Sequence, residues 1–335
     1  MGEGNAAVVV ALDWTPNVNH IGFYVACQQG LYKEAGLEVK LLPATDEAVQ
    51  KFHTPANMVS SGQATFAVGP SETAISYATT DEEKPRLAAV AALLNGSASS
   101  IAVSNSAGVE RPSELAGKKY GSYSGRFEDG IVKELVNADG GDGEKVEFIP
   151  IPAHGYKDEG IVKHGSLTTS SMKSGTFDAT WVFSHWEGEI ARRDNFDMRM
   201  FRLEDYGVPY GYTPVLLANV AGLDQEVAKK FLSATAKGFA YAASNPKEAA
   251  KILVDTAQHS ACSDLPLVEA AAEAVASKIL PEDSSKGWGH MEEKKWSDFV
   301  NFLFEKKLVK DREGELIPQD KVDVKKLFTN EFLSN

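Results

Sequence analysis

Short runs of β-branched and small apolar residues alternate with longer helical segments along nearly the whole chain, and this alternation constrains the fold most strongly. Residues 7–13, Ala-Val-Val-Val-Ala-Leu-Asp, are apolar on both faces of an extended segment. Such a strand belongs inside a parallel sheet, which needs helices on both sides. The same grammar predicts strands at 37–42, 65–68, 86–94, 101–104, 118–123, 146–150, 177–183 and 213–219. Helices are predicted at 20–30, 46–61, 128–138, 167–174, 185–193 and almost throughout from 224 on, with Ser71 as the N-cap of a helix that follows the third strand. The polar stretch 153–166, with three glycines and two histidines, reads as a mobile surface loop. A length of 335 residues suits about two domains. The expected architecture is therefore α/β and two-lobed. One lobe comprises 1–95 with 210–335, and the other is 96–209 inserted into it. Strand tips of both would line a ligand cleft, with hinges near 94–100 and 203–213.

Charge and composition exclude several classes. The net charge of −13 repels phosphate backbones and anionic lipid, so neither nucleic acid nor a membrane surface is an expected partner. Hydrophobic residues make up 43%, enough to fill real cores. No apolar run approaches the roughly 20 residues of a spanning helix. Two cysteines form neither a disulfide framework nor a zinc cluster; Cys27 reads as a small core residue. The seven scattered histidines indicate no metal site. Motifs of nucleophile elbows, zincins, redox dithiols and dinucleotide-binding turns are absent, so no catalytic residue is assigned. No secretory leader is visible: the expected location is cytoplasmic for a complete chain, and periplasmic or otherwise extracytoplasmic if a leader was removed.

The candidate binding residues cluster at strand tips. Asp13, Trp14, Asn17, Asn19 and His20 follow the first strand; an indole among carboxylate and amides suits a flat ring read at its edge. Ser71 and Glu72 open a helix after the third strand, where a serine cap and a dipole-favoured acid are also ordinary. Around Tyr123, the Gly121 to Arg126 turn could hold a small anion on backbone N–H groups, with Arg126 as a bidentate partner. Trp181, Trp186 and Glu187 offer a second aromatic wall, and a carboxylate suited to an aminopyrimidine edge; His185 reads as a helix-start residue. Tyr210 and Tyr212 lie in a rigid Gly/Pro crossing, whereas Trp288 and Trp296 read as packing residues.

Taken as strings, these motifs resemble a known family. Asp13-Trp14-Thr15-Pro16-Asn17 with Asn19-His20, Gly22-Phe23-Tyr24-Val25-Ala26, Phe66-Ala67-Val68-Gly69-Pro70-Ser71-Glu72, Thr180-Trp181 and Trp186-Glu187-Gly188 are similar to the NMT1/THI5-like family. So are Tyr206-Gly207-Val208-Pro209-Tyr210 and Asn245-Pro246-Lys247-Glu248. This is the thiamine-pyrimidine branch of the type II periplasmic-binding-protein fold. The resemblance implies one of two activities. One is capture of formylaminopyrimidine or hydroxymethylpyrimidine in an interlobe aromatic clamp, without a cofactor and with an ABC importer as partner if the protein is exported. The other is cytosolic hydroxymethylpyrimidine phosphate synthesis linked to pyridoxal phosphate. Gly69 falls where the synthase lysine would be, Thr73 where its consumed histidine would be, and Gly207–Tyr212 replaces its cysteine-rich stretch. Binding is therefore the expected activity and synthesis the alternative; a sulfonate or other small-anion binder using the Ser122–Arg126 turn is a third reading.

Overall fold

The valine-rich first segment pairs on both sides, as its two apolar faces require. The structure is a computed structural model and describes residues 5–80, 86–151, 167–283 and 285–334. The stretch expected to form the polar loop at 153–166 lies outside the described residues. In chain order the strands are β1 (Ala6–Ala11), β2 (Leu37–Leu42), β3 (Phe66–Gly69), β4 (Ala88–Ala92), β5 (Ser99–Ser104), β6 (Lys119–Ser122), β7 (Glu147–Pro150), β8 (Ala179–Phe183), β9 (Met198–Arg202) and β10 (Val215–Ala218). They form two five-stranded sheets, ordered β2-β1-β3-β10-β4 and β7-β6-β8-β5-β9.

The chain divides into two compact units. The first comprises Met1–Ser97, Tyr212–Trp296 and Asp320–Asn335; the second comprises Ala98–Gly211 and Ser297–Gln319. The first two crossings, at Ser97–Ala98 and Gly211–Tyr212, fall within the segments expected as hinges. The segment Ser297–Gln319, expected with the first lobe, groups with the second unit. Its helix Glu293–Glu305 runs across that chain boundary.

In the first unit β1 pairs parallel with β2 and with β3, while β10 runs antiparallel to β3 and β4. The helix Ile21–Gln28 packs on the long helix Gln225–Ser244. Their approach is close because two glycines meet: a Cβ on Gly238 would stand 2.1 Å from the Gly22 carbonyl oxygen, and one on Gly22 2.2 Å from the Phe239 ring. Phe231 stacks on Phe66 at 4.6 Å and on Tyr32 at 5.3 Å, and Phe239 stacks on Trp288 at 4.6 Å. Trp288 also donates to the Leu93 carbonyl, so it packs as expected.

In the second unit β6 pairs parallel with β7 and β8, and β5 runs antiparallel to β8 and β9. Ala102, Ile151, Met172, Phe177 and Val182 form a core cluster under this sheet. Among the described residues, no helix is long and apolar enough to cross a membrane.

Two of the expected secondary-structure assignments also change. The single helix expected at 46–61 is two, Glu47–Lys51 and Pro55–Ser60. His53 takes a left-handed φ of 65°, and Thr54 caps the second helix, with Pro55 as its first residue. Strand β9 was not expected; its Met-Arg-Met-Phe-Arg alternation is that of an edge strand.

Candidate functional site

In the first sheet β1 leads to β2 on one side, while β3 pairs on the other, so the carboxyl ends of β1 and β3 flank a topological switch point. Open α/β sheets take ligands at such points. The loop after β1 carries Asp13 to His20, and the residues after β3 carry Ser71 and Glu72.

The loop after β1 is braced from within. His20 is fully buried; its Nε2–H donates to Asp13 Oδ1 at 2.9 Å, and its Nδ1 accepts from the Asn17 N–H at 3.4 Å. Asn17 Oδ1 accepts from the Asn19 N–H at 2.8 Å, and Asn17 Nδ2 donates to the Thr15 carbonyl at 3.0 Å. Asn17 and His20 together form a capping box on the short 3-10 helix Val18–His20. Asp13, Asn17 and His20 therefore shape the loop, and Asn19 is buried in it. Trp14, between them, remains partly exposed.

Two hydroxyls at this edge have no hydrogen-bond partner among the described residues. Thr15 Oγ1 and Ser71 Oγ are buried and unbonded, each residue 1% exposed. Ser71 sits at the N-cap position of the helix Glu72–Ala78, as expected, but its side chain makes no capping bond. Its backbone N–H donates to the Tyr212 carbonyl at 3.2 Å. Thr15 went unmarked in the sequence because only the orphaned hydroxyl distinguishes it from a loop threonine. Glu72 is partly exposed beside Ser71. Tyr212 is a packing residue: its hydroxyl accepts from the Glu292 N–H at 3.0 Å, Lys295 Nζ lies 5.1 Å from its ring centre, and burial pushes its phenol up to about 12. Trp296, tilted against Tyr212 and stacked on Phe328, has a buried indole N–H with no partner among the described residues.

The second unit has a corresponding switch point between β6 and β8. Tyr123 follows β6 and Glu187 follows β8. Burial first, and then the charge of Glu187, raise the Tyr123 phenol, which hydrogen-bonds the Thr168 and Thr180 hydroxyls. Glu187 Oε2 accepts from the Phe183 N–H at 2.8 Å. Trp181 meets Tyr210 edge-to-face at 5.0 Å, and Tyr210 meets Phe299 in the same way at 5.0 Å. Trp186 and Tyr210 are buried, whereas Trp181 is partly exposed.

The turn expected as an anion cradle is already filled by the protein's own carboxylate. Glu128 Oε1 accepts from the Tyr123 N–H at 3.1 Å and the Tyr120 hydroxyl at 3.0 Å, and Oε2 accepts from the Gly125 N–H at 3.1 Å. The Ser124 N–H donates to Ser122 Oγ. Burial raises the Glu128 carboxyl above the ordinary range, against the pull of its three donors. Arg126 is exposed; its guanidinium donates to the Lys310 carbonyl at 2.7 Å and lies over the Phe127 ring. The structure thus brings Tyr123 and Glu187 together, and Trp181 with Tyr210, but turns Arg126 to the Lys310 segment.

Neither cysteine has thiolate character: burial pushes both Cys27 and Cys262 up to about 11. Among the described residues no group of three or more His, Cys, Asp or Glu side chains is placed to hold a metal ion.

The sequence model of the NMT1/THI5-like family matches residues 17–249. A formylaminopyrimidine-binding protein of Halalkalibacterium halodurans is 26% identical over 306 residues, covering 90% of this chain and 86% of that protein. The periplasmic nitrate-binding protein NrtA of Synechocystis superposes with a TM-score of 0.67 at 13% identity, covering 98% of this chain and 87% of that one. The alkanesulfonate-binding protein SsuA of Xanthomonas axonopodis, bound to MOPS, superposes at 0.66 with 11% identity, covering 98% and 99%. The fold is that of the type II periplasmic binding proteins.

Proposed function

We propose, since the chain belongs to the NMT1/THI5-like family, that it binds a small pyrimidine precursor of thiamine, of the formylaminopyrimidine or hydroxymethylpyrimidine type, for uptake or salvage. The observation that carries this reading is the loop after β1: Asp13, Asn17 and His20 bond one another and hold Trp14 partly exposed at the switch point. A braced indole is a plate for a planar heterocycle, and base–aromatic stacking contributes about 1–3 kcal/mol in nucleic-acid binders. Tyr123 and Glu187, at the equivalent edge of the second unit, form a second candidate recognition group, with Trp181 and Tyr210 as its aromatic members. The relative named for formylaminopyrimidine binding supports the same ligand class, and aligns over most of both chains. In an extracytoplasmic setting the partner of such a protein is an ABC importer.

Synthesis from pyridoxal phosphate fits these residues poorly. Gly69 has no side chain, and a Cβ built there would stand 3.3 Å from Leu217 Cδ1 and 3.4 Å from Thr73 Oγ1. Neither position carries an amine to hold that cofactor or an imidazole to be consumed, so no reaction is derived through it.

The test is calorimetric titration of the wild type, Trp14→Ala and Glu187→Gln with formylaminopyrimidine and hydroxymethylpyrimidine. The reading requires wild-type binding well below millimolar and about a tenfold or larger loss in Trp14→Ala, the equivalent of one stacked base. Wild-type protein that binds neither ring refutes it.

A further inference from the structure

We infer that Thr15 and Ser71 form a subsite that donates hydrogen bonds to a neutral oxygen acceptor on the ligand, such as the formyl oxygen of a formylaminopyrimidine or the hydroxyl oxygen of a hydroxymethylpyrimidine. This rests on the pyrimidine-binding reading and adds a specificity rule to it.

Both hydroxyls are buried without a hydrogen-bond partner among the described residues, and a buried hydroxyl left unbonded is unfavourable. Each also stands beside a local bond that it does not make. Ser71 occupies an N-cap position, where a serine oxygen ordinarily accepts from the following N–H groups, yet it makes no such bond. Thr15 has its carbonyl held by Asn17 Nδ2, while its own Oγ1 is left out of the loop network. These are two donors kept available at a cost to the free protein.

Their placement is specific. β1 and β3 are adjacent and parallel, with Val10 opposite Phe66 and Ala11 opposite Ala67. Thr15 comes four residues after Ala11, and Ser71 four after Ala67, so the two residues flank the switch point from its two sides. The competing polar groups nearby are engaged: His20 with Asp13 and Asn17, Asn17 with Asn19 and Thr15, and the Ser71 N–H with Tyr212.

Charge selects the kind of acceptor. Residues 12–20 and 69–73 carry two carboxylates, Asp13 and Glu72, and no lysine or arginine. Within these two segments an anionic group such as a sulfonate or nitrate would meet two carboxylates and no lysine or arginine. A neutral oxygen meets two O–H donors, and a site built to bond such a group disfavours the analogue that lacks it.

The experiment uses Thr15→Val, Ser71→Ala and the double variant of the full chain. Each is titrated with formylaminopyrimidine, with hydroxymethylpyrimidine and with the aminopyrimidine that has a methyl group in place of the hydroxymethyl and so lacks the oxygen, and the ligand-free proteins are melted alongside. Each single variant is expected to lose about five- to tenfold in affinity for the oxygen-bearing rings, the size of one net hydrogen bond, and less than about twofold for the methyl analogue. Ligand-free melting is expected to hold or rise, because an unbonded buried hydroxyl has been removed. An equal loss for the methyl analogue, unchanged affinity in the variants, or a fall in ligand-free melting overturns the subsite while leaving the pyrimidine reading in place. Wild-type protein that binds neither oxygen-bearing ring overturns both.

Discussion

Replacing His20 with phenylalanine tests whether the loop after β1 is held from inside. The ring is fully buried, so phenylalanine keeps its bulk and removes its two nitrogens. One lost contact is the 2.9 Å bond to the Asp13 carboxylate, whose side chain is only 20% exposed; hydrogen bonds to charged groups are worth about 1.5–3 kcal/mol. The other is the 3.4 Å bond from the Asn17 N–H, long enough to count for about 0.5–1 kcal/mol. Together they predict a destabilisation of about 2–4 kcal/mol. For a unit of about 200 residues this lowers the melting temperature by about 4–16 °C, at roughly 2–4 °C per kcal/mol. Differential scanning calorimetry reads that shift, and titration with formylaminopyrimidine reads a fall in affinity as Trp14 loses its brace. His20→Gln, able to keep one of the two contacts, is expected to lie between. Melting within about 1 °C of the wild type, with unchanged binding, would refute the claim that this imidazole braces the loop.

Three further outcomes follow from the geometry. Gly22→Ala forces a Cβ to 2.2 Å from Phe239, which is itself pinned between Phe23 and Trp288; a loss of about 1–3 kcal/mol or more is expected in urea unfolding, with partial rescue by Phe239→Leu. Burial raises the Glu128 carboxyl in the folded protein, so its contribution is full below the ordinary carboxylate value, about 4.3, and is lost as pH rises through the raised folded value. Wild-type stability should therefore fall relative to Glu128→Gln as pH rises above the ordinary carboxylate value, about 4.3; a relative gain would mean that the three donors outweigh burial. Arg126→Ala should leave pyrimidine affinity unchanged within about twofold in the same titration, because the guanidinium binds the Lys310 carbonyl; a large loss would restore the turn as a ligand site.

Periodicity made the regular elements legible: β2 spans Leu37–Leu42 and a helix spans Glu128–Ala138, both at the bounds expected from pattern alone. The break at His53 was written in Thr54-Pro55, a cap followed by a first-turn proline, but a continuous apolar period hid it. Strand β9 alternates methionine with arginine, a weak signal because an edge strand needs only one apolar face. The site was legible as places rather than as roles. Residue types at strand tips point to Trp14, Ser71, Tyr123 and Glu187. No local pattern says that His20 turns inward to Asp13, that Ser71 declines its cap, or that Glu128 fills the turn at Tyr123 and Gly125. Those facts depend on which hydrogen-bond partner wins in three dimensions, which spacing does not encode.

A crystal structure of the full chain with formylaminopyrimidine bound addresses the central claim most directly. The account predicts the pyrimidine ring lying flat on the Trp14 indole, about 3.5–4 Å from it, as van der Waals contact between carbons requires. A ring bound elsewhere, with the Trp14 face in contact with solvent or covered by the protein's own side chains, would contradict it.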